Sequence, residues 1–303
     1  MRKPLAGLLV LGLALAGCGG GDTKGKAGGS PSASAAVTTT PPAETNAVKV
    51  DAIDYGYTVS GTAKSGLTRI TFANTGKELH MLDMSKLKEG KTAADALAAL
   101  KSDAGDDDEA TFVDPDDSVD GQPSLLSPGA TTTVWTTLES GTYALVCYVP
   151  AEGDGKSHYE KGMVNALTVT ADPTTAPEPQ TQGEITTDDK KLTVGDLTSG
   201  KGVYKYTNSG DTTHALLLVK LNDGKTYADF IAWADKFFEG GAKFADRPGE
   251  LWGGLEATEK TAFLELDLPP GKYLALDTET PENEDEEYFR DSQGGLRAEF
   301  TVA

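Results

Sequence analysis

Cys147 is followed by His158 and Met163, and His80 lies upstream. One thiolate, two imidazoles and one weak thioether form the donor set of a blue-copper site. The sulfur ligands favour Cu(I), the imidazoles suit Cu(II) as well, and a fixed cage lets the metal cycle with little rearrangement. The chain holds only 3 His and 2 Cys, so such a grouping uses most of its supply. The other cysteine, Cys18, ends an N-terminal export signal, which leaves Cys147 without a disulfide partner. An unpaired thiol outside the cell is open to oxidation, and metal ligation is one reason to keep it. The plainer reading is that Cys147 is a small buried hydrophobe and Met163 fills core space.

The chain starts with the basic Met1-Arg2-Lys3, and Leu5 to Ala16 is an apolar run broken only by Gly7 and Gly12. That run is too short to span a bilayer and has the length of a signal-peptide core. With Leu15-Ala16-Gly17-Cys18, residues 1–17 resemble the lipobox signal of bacterial lipoproteins. The resemblance implies that Cys18 is acylated and anchors the chain at the extracytoplasmic face of the cell membrane; an ordinary secretory signal is the alternative. Residues 18–46 are Gly, Ser, Thr, Ala and Pro with few bulky side chains, which reads as a flexible tether. The net charge of −20 grows more negative once Arg2 and Lys3 leave. Nucleic acid and anionic headgroups are thereby excluded as partners, whereas a basic redox or envelope protein would be attracted.

What must position the candidate ligands is a repeated module. Asn74-Thr-Gly76-Lys-Glu-Leu-His80 recurs as Asn208-Ser-Gly210-Asp-Thr-Thr-His214, and Gly90-Lys91-Thr92-Ala-Ala-Asp95 recurs as Gly224-Lys225-Thr226-Tyr-Ala-Asp229, both at an offset of 134 positions. Gly141-Thr-Tyr143 matches Gly271-Lys-Tyr273 at an offset of 130, so a small indel separates the copies. The Pro/Thr-rich segment 172–183 reads as a linker between modules over 47–171 and 184–303. Alternating segments at 68–72, 133–136, 203–206 and 263–266 predict strands divided by Asn-Gly and Pro-Gly turns. One helix interrupts each copy. Thr92 is placed to cap 93–101 with Asp95 in the first turn, and Thr226 and Asp229 repeat the arrangement before 230–237. The fold expected is mainly β, as two tandem Greek-key β-sandwiches with one inserted helix each.

The end of the first copy carries the chemistry. A buried strand Tyr143–Val146 delivers Cys147, a loop follows, and strand 164–169 closes the sandwich. This resembles the cupredoxin family of plastocyanin and azurin type, in which Cys, His and Met lie on the loop between the last two strands and a first His lies upstream. The His158-to-Met163 spacing is plastocyanin-like, and Gly162-Met163 before a Val/Leu/Thr strand is typical. The resemblance covers residues 47–171, and 184–303 more weakly through the repeat. It implies His80, Cys147 and His158 in the trigonal plane of one copper, Met163 as axial ligand, and the His158 edge as the route for electrons. The spacing departs from the family: ten residues separate Cys147 from His158, where familiar loops have two to four. The longer loop is expected to carry an exposed, mobile tip at 151–155. The second copy keeps His214, has Asp277 where Cys147 aligns, and holds no His or Met across 278–296, so it is read as degenerate. A histidine kept without its partners points to a structural task, such as a bond to a backbone carbonyl.

The acidic residues Asp103, Asp106–Glu109, Asp114, Asp116, Asp117 and Asp120 do not follow the ligand order of an EF-hand and read as a solvated loop, as does the run Glu279–Glu287. Trp233, Phe237 and Phe238 read as a packed helix face, and Trp135 and Trp252 as core or interface. Most enzyme readings fail by inventory, although counting does not exclude a His-assisted Ser triad. A multicopper oxidase or copper nitrite reductase needs further histidine-rich sites, and no Gly-x-Ser-x-Gly elbow or phosphate-binding glycine loop is present. The expectation is a lipid-anchored single-electron carrier with one copper in the first copy. A metal-free envelope scaffold and a copper storage or delivery protein are its rivals.

Overall fold

The computed structural model describes residues 46–102, 111–238, 241–258, 261–278 and 296–303, without the side chains of 114–118, 238 and 257–258. The signal at 1–17, Cys18, the tether as far as 45, the acidic residues 103–109 and the run 279–287 lie outside the described residues. Asn46, read as the tether's last residue, already belongs to the sandwich. Its amide donates to Lys64 O at 2.7 Å and Thr68 Oγ1 at 2.8 Å, and its backbone carbonyl accepts from Arg69 N at 2.8 Å.

The first half runs β1 (Ala47–Ile53), β2 (Gly56–Lys64), β3 (Gly66–Asn74), β4 (Asp83–Leu87), α1 (Ala93–Leu100), β5 (Val113–Ser118), β6 (Gln122–Pro123), β7 (Thr131–Leu138), β8 (Gly141–Val146) and β9 (Val164–Thr170). The second runs β10 (Gly183–Asp188), β11 (Lys191–Val194), β12 (Lys201–Asn208), β13 (His214–Leu221), α2 (Tyr227–Phe238), β14 (Gly249–Thr258), β15 (Thr261–Asp267), β16 (Gly271–Leu276) and β17 (Arg297–Val302). Side-chain alternation drives the strands: in β3, Thr68, Ile70 and Phe72 turn inward and alternate with the partly exposed Leu67, Arg69 and Thr71. The expected helices form with their caps. Thr92 Oγ1 accepts from Asp95 N while Asp95 accepts from Thr92 N, and Thr226 and Asp229 do the same.

In the first half β7, β3 and β1 form one layer and β9, β8, β4 and β5 the other, with β2 pairing β1 along its length and β9 at its end. The second half repeats the order as β15-β12-β10-β11 and β17-β16-β13-β14. The chain is mainly β, and each half folds as a two-layer β-sandwich. Part of the acidic segment read as loop is a strand: β5 lies outermost in its sheet, paired antiparallel with β4.

The halves are joined by their sheets. β7 pairs antiparallel with β15 through Trp135–Phe263, Val134–Leu264 and Thr133–Glu265, and β6 pairs with β14. Val134 and Leu264 are equivalent positions in the two copies, so equivalent strands meet about a local two-fold, as in an isologous dimer contact. One apolar core runs through both halves, from Val48 in β1 to Val302 in β17, and a smaller cluster under α1 includes Leu87, Leu100 and Phe112. Trp135 and Trp252 are interface residues, pairing with Phe263 and bridging to Leu126. Trp233 and Phe237 are buried on the α2 face.

Candidate metal centre

β8 is buried from Tyr143 to Val146 and ends at Cys147. The chain after it folds back in a stitched loop. Ala151 N donates to Lys156 O at 2.8 Å, Pro150 bridges to Ser157, and His158 N returns to Val149 O at 2.9 Å. His158–Lys161 is a 3-10 turn ended by Gly162 at φ 105°, where a glycine adopts the left-handed region cheaply. Met163 N then donates to His158 O at 3.0 Å and Cys147 N to Met163 O at 3.3 Å. Cys147, His158 and Met163 are thereby brought back together, all at 0% exposure. The expected exposed tip is only partly so. Ala151 is buried, and Glu152 is held at both its backbone and its side chain.

His80 comes from the turn after β3. Asn74 Oδ1 accepts from Gly76 N at 2.9 Å, and its amide donates to Glu78 O at 2.8 Å, which fixes the turn. His80 Nδ1 stands 3.1 Å from His158 Nδ1 and 3.9 Å from Cys147 Sγ, and His158 Nδ1 stands 3.4 Å from the sulfur. Donors bonded at roughly 2.0–2.3 Å to a common metal ion lie about 3.3–3.8 Å apart, close to the spacing found. The other nitrogens turn outward. His158 Nε2 meets Glu78 Oε2 at 3.0 Å, so with its proton there Nδ1 keeps a lone pair for a metal. His80 Nε2 is buried without a hydrogen-bond partner, 3.7 Å from Asp54 Oδ1. The Met163 side chain lies in the same apolar cluster as Cys147.

Burial and the neighbouring His158 lower the His80 pKa to about 4, against the pull of Asp54. Burial lowers His158 too, against Glu78. Both rings are therefore held toward their neutral, ligating form. Burial raises the Cys147 thiol to about 12, although backbone amides of Met81 and Val149 favour the thiolate. A bound cation reverses that balance by replacing the thiol proton. The group fits a single copper ion.

No protein-family profile matches the chain, and no curated protein matches it. Solved structures do. Dithionite-reduced auracyanin from the photosynthetic bacterium Roseiflexus castenholzii aligns at 22% identity over 42% of this chain and 98% of its own, with a TM-score of 0.28. Auracyanin A of Chloroflexus aurantiacus, described as a "blue" copper protein, aligns at 19% over 41% of this chain and 98% of its own, with a TM-score of 0.27. A multicopper oxidase aligns at 14% over 85% of this chain and 88% of its own, with a TM-score of 0.23.

The His158 edge, which the resemblance implies as the route for electrons, is covered. Glu78 covers Nε2, and the Tyr55 ring stands edge-on to the imidazole with centroids 5.1 Å apart. Tyr55 Oη donates to Glu78 Oε1 at 2.7 Å, and the Lys161 ammonium lies 4.7 Å from the Tyr55 ring centre. In the second half, His214 bonds carboxylates rather than a backbone carbonyl: Asp277 Oδ2 at 2.5 Å from Nδ1 and Asp189 Oδ1 at 3.2 Å from Nε2. Asp54 and Tyr55 are absent from the sequence reading, and Glu78 stands in its His80 motif without a role. Asp54 has a signal there, since Asp189 repeats it beside the repeated histidine. Glu78 and Tyr55 differ from their counterparts Thr212 and Lys190, and that difference is itself the signal.

Proposed function

We propose that this protein is a lipid-anchored, extracytoplasmic one-electron carrier whose first half would hold a type 1 copper through His80, Cys147 and His158, with Met163 as the fourth donor. The observation that carries the reading is the convergence of two imidazole Nδ1 atoms and the free thiol at 0% exposure. Copper held there supplies a one-electron couple. The chain's own residues exclude water from the donors, keep both Nδ1 lone pairs free and, through Glu78, hold the His158 ring in one tautomer and orientation. Cys147 Sγ releases its proton on loading.

Cys18 at the end of 1–17 supports the anchor, and no helix among the described residues is long and apolar enough to cross a membrane. The net charge of −20 favours a basic redox partner and disfavours nucleic acid. Copper delivery would need a donor atom that an acceptor can reach, whereas all three are buried. The histidine inventory leaves nothing for a second copper cluster, so the protein is proposed not to be an enzyme.

The test is titration with Cu(II), followed by visible absorption and EPR beside Cys147→Ser, and then a potentiometric titration. An intense thiolate-to-copper band, lost in the variant and reversible over one electron, supports the carrier. No band and no tight copper binding in freshly reduced protein overturns it in favour of a metal-free scaffold.

A further inference from the structure

The second half keeps no metal-ligand set among its described residues, yet it touches both segments that carry the histidines. The first contact runs through Leu126. His80 N donates to Leu126 O at 3.2 Å, and Leu126 N donates to His80 O at 2.9 Å. Leu126 also bridges to Trp252 of β14, and beside it Ser127 N donates to Leu251 O while Leu251 N donates to Ser127 Oγ, both at 2.9 Å. The Asn74 amide that shapes the His80 turn donates to Leu126 O at 2.7 Å. A ribbon thus runs from His80 through Leu126 to Trp252, and its far strand belongs to the other half.

The second contact uses the long loop. Glu78 Oε2 accepts from His158 Nε2 and also from Glu152 N at 2.9 Å. Glu152 Oε1 in turn accepts from Phe244 N at 2.9 Å, at the start of a 3-10 turn in the second half. Phe244 is a fixed point: it is 3% exposed and packs against Trp233 and Phe237. A loop of two to four residues would leave no residue in the place of Glu152. The extra length therefore has a destination, and the loop's own cross-bonds close it into a stiff finger rather than a free strand of chain.

We infer that the second half is a brace for the metal site of the first, steadying His80 through Leu126 and His158 through the Glu152–Glu78 pair. Glu152 is a positioning residue that touches no ligand atom. The inference deepens the copper reading, but its thiol measurement stands without copper.

The test compares Glu152→Ala with Glu152→Gln in the full chain. The glutamine keeps an oxygen that can accept from Phe244 N, and the alanine does not. In reduced, metal-free protein, the rate at which Cys147 reacts with an aromatic disulfide reagent is expected to rise about tenfold in the alanine variant and to stay near parental in the glutamine variant. In copper-loaded protein, the alanine variant is expected to lose roughly tenfold in affinity and to change its EPR hyperfine splitting, with glutamine again near parental. Parental thiol reactivity in Glu152→Ala overturns the brace. A brace-like thiol result in a parental protein that binds no copper keeps the brace and overturns the copper reading instead.

Discussion

Asp277 holds in the second half the place that Cys147 holds in the first. Each directly follows the inner strand that precedes the closing strand, and each faces the Nδ1 of its half's histidine: Cys147 Sγ at 3.9 Å from His80, Asp277 Oδ2 at 2.5 Å from His214. A soft donor that leaves room for a metal has been exchanged for a carboxylate that reaches the imidazole itself. Asp277 Oδ1 also accepts from Ala215 N at 2.9 Å, so both its oxygens are used. The degenerate copy closes its site with a proton between nitrogen and oxygen.

Breaking that pair leaves the buried His214 Nδ1 without its hydrogen-bond partner, because the His214 and Asp277 side chains are 7% and 5% exposed. Asp277→Ala is expected to cost about 1–3 kcal/mol, read as a lowered urea midpoint with unchanged m, and to leave the copper spectrum as it was. Asp277→Cys is expected to add no second intense copper band to that of the first half, since the second half supplies neither a second histidine nor a methionine near that position.

Gly76 and Gly210 make a paired test of the outer side of the histidines. A Cβ on Gly76 would lie 2.7 Å from His80 Nε2 and 2.6 Å from Asp54 Oδ1; on Gly210 it would lie 2.9 Å from His214 Nε2 and 2.4 Å from Asp189 Oδ1. Both alanine variants are expected to lose about 1–3 kcal/mol through overpacking. Only Gly76→Ala should lower copper affinity, because only there does the displaced ring carry a ligand atom. Equal copper affinity in the two variants would show that His80 does not bind the metal.

The repeat offset made the sandwich pair, the capped helices and the three converging donors legible, since each rests on local pattern or on a few scarce residue types. The joining of the halves was not legible: β7 and β15 alternate like any strands, and nothing in Val134 or Leu264 says that the two pair with each other. The partners of His158 were hidden for another reason. Glu78 lies within the His80 motif in sequence but acts on a ring 80 positions away, and its role shows only where β1, the His80 turn and the long loop meet. The second copy sorts these neighbours. Asp54, Gly76 and Asn74 recur as Asp189, Gly210 and Asn208 where no copper set exists, so they serve the turn. Glu78 and Tyr55 do not recur, and both stand against His158, which the second copy lacks.

Acid is expected to destabilise the metal-free protein through His80. Its folded pKa of about 4 lies below the unfolded value of 6.5. Above 6.5 the ring is neutral in both states and its contribution is fully present. As pH falls from 6.5 toward 4 the unfolded chain takes up a proton that the folded site refuses, and stability is lost, at roughly 3 kcal/mol over that window. Glu78 and Asp54, held below the ordinary carboxylate range by their hydrogen bonds despite some burial, lose their share lower in pH. The check is the urea midpoint against pH. Copper loading should flatten the curve above pH 5, because a metal on Nδ1 competes with the proton.

Tyr55 is expected to be the cover of the site. It is the one non-glycine with positive φ among the described residues, at 62°, a conformation that costs an ordinary side chain about 1 kcal/mol or more. The turn's counterpart, Asp189-Lys190, makes no such demand, and the strain is therefore not required to join the two strands. What it achieves is placement: the ring stands against His158 and the hydroxyl reaches Glu78. Tyr55→Gly relieves the backbone and removes the ring, so stability should stay within about 1 kcal/mol of parental. With the imidazole uncovered, a small inorganic oxidant such as ferricyanide should oxidise the reduced, copper-loaded protein about tenfold faster, while Tyr55→Phe, which keeps the ring and loses only the bond to Glu78, should remain within about twofold. Unchanged oxidation in Tyr55→Gly would mean that electrons leave by another face.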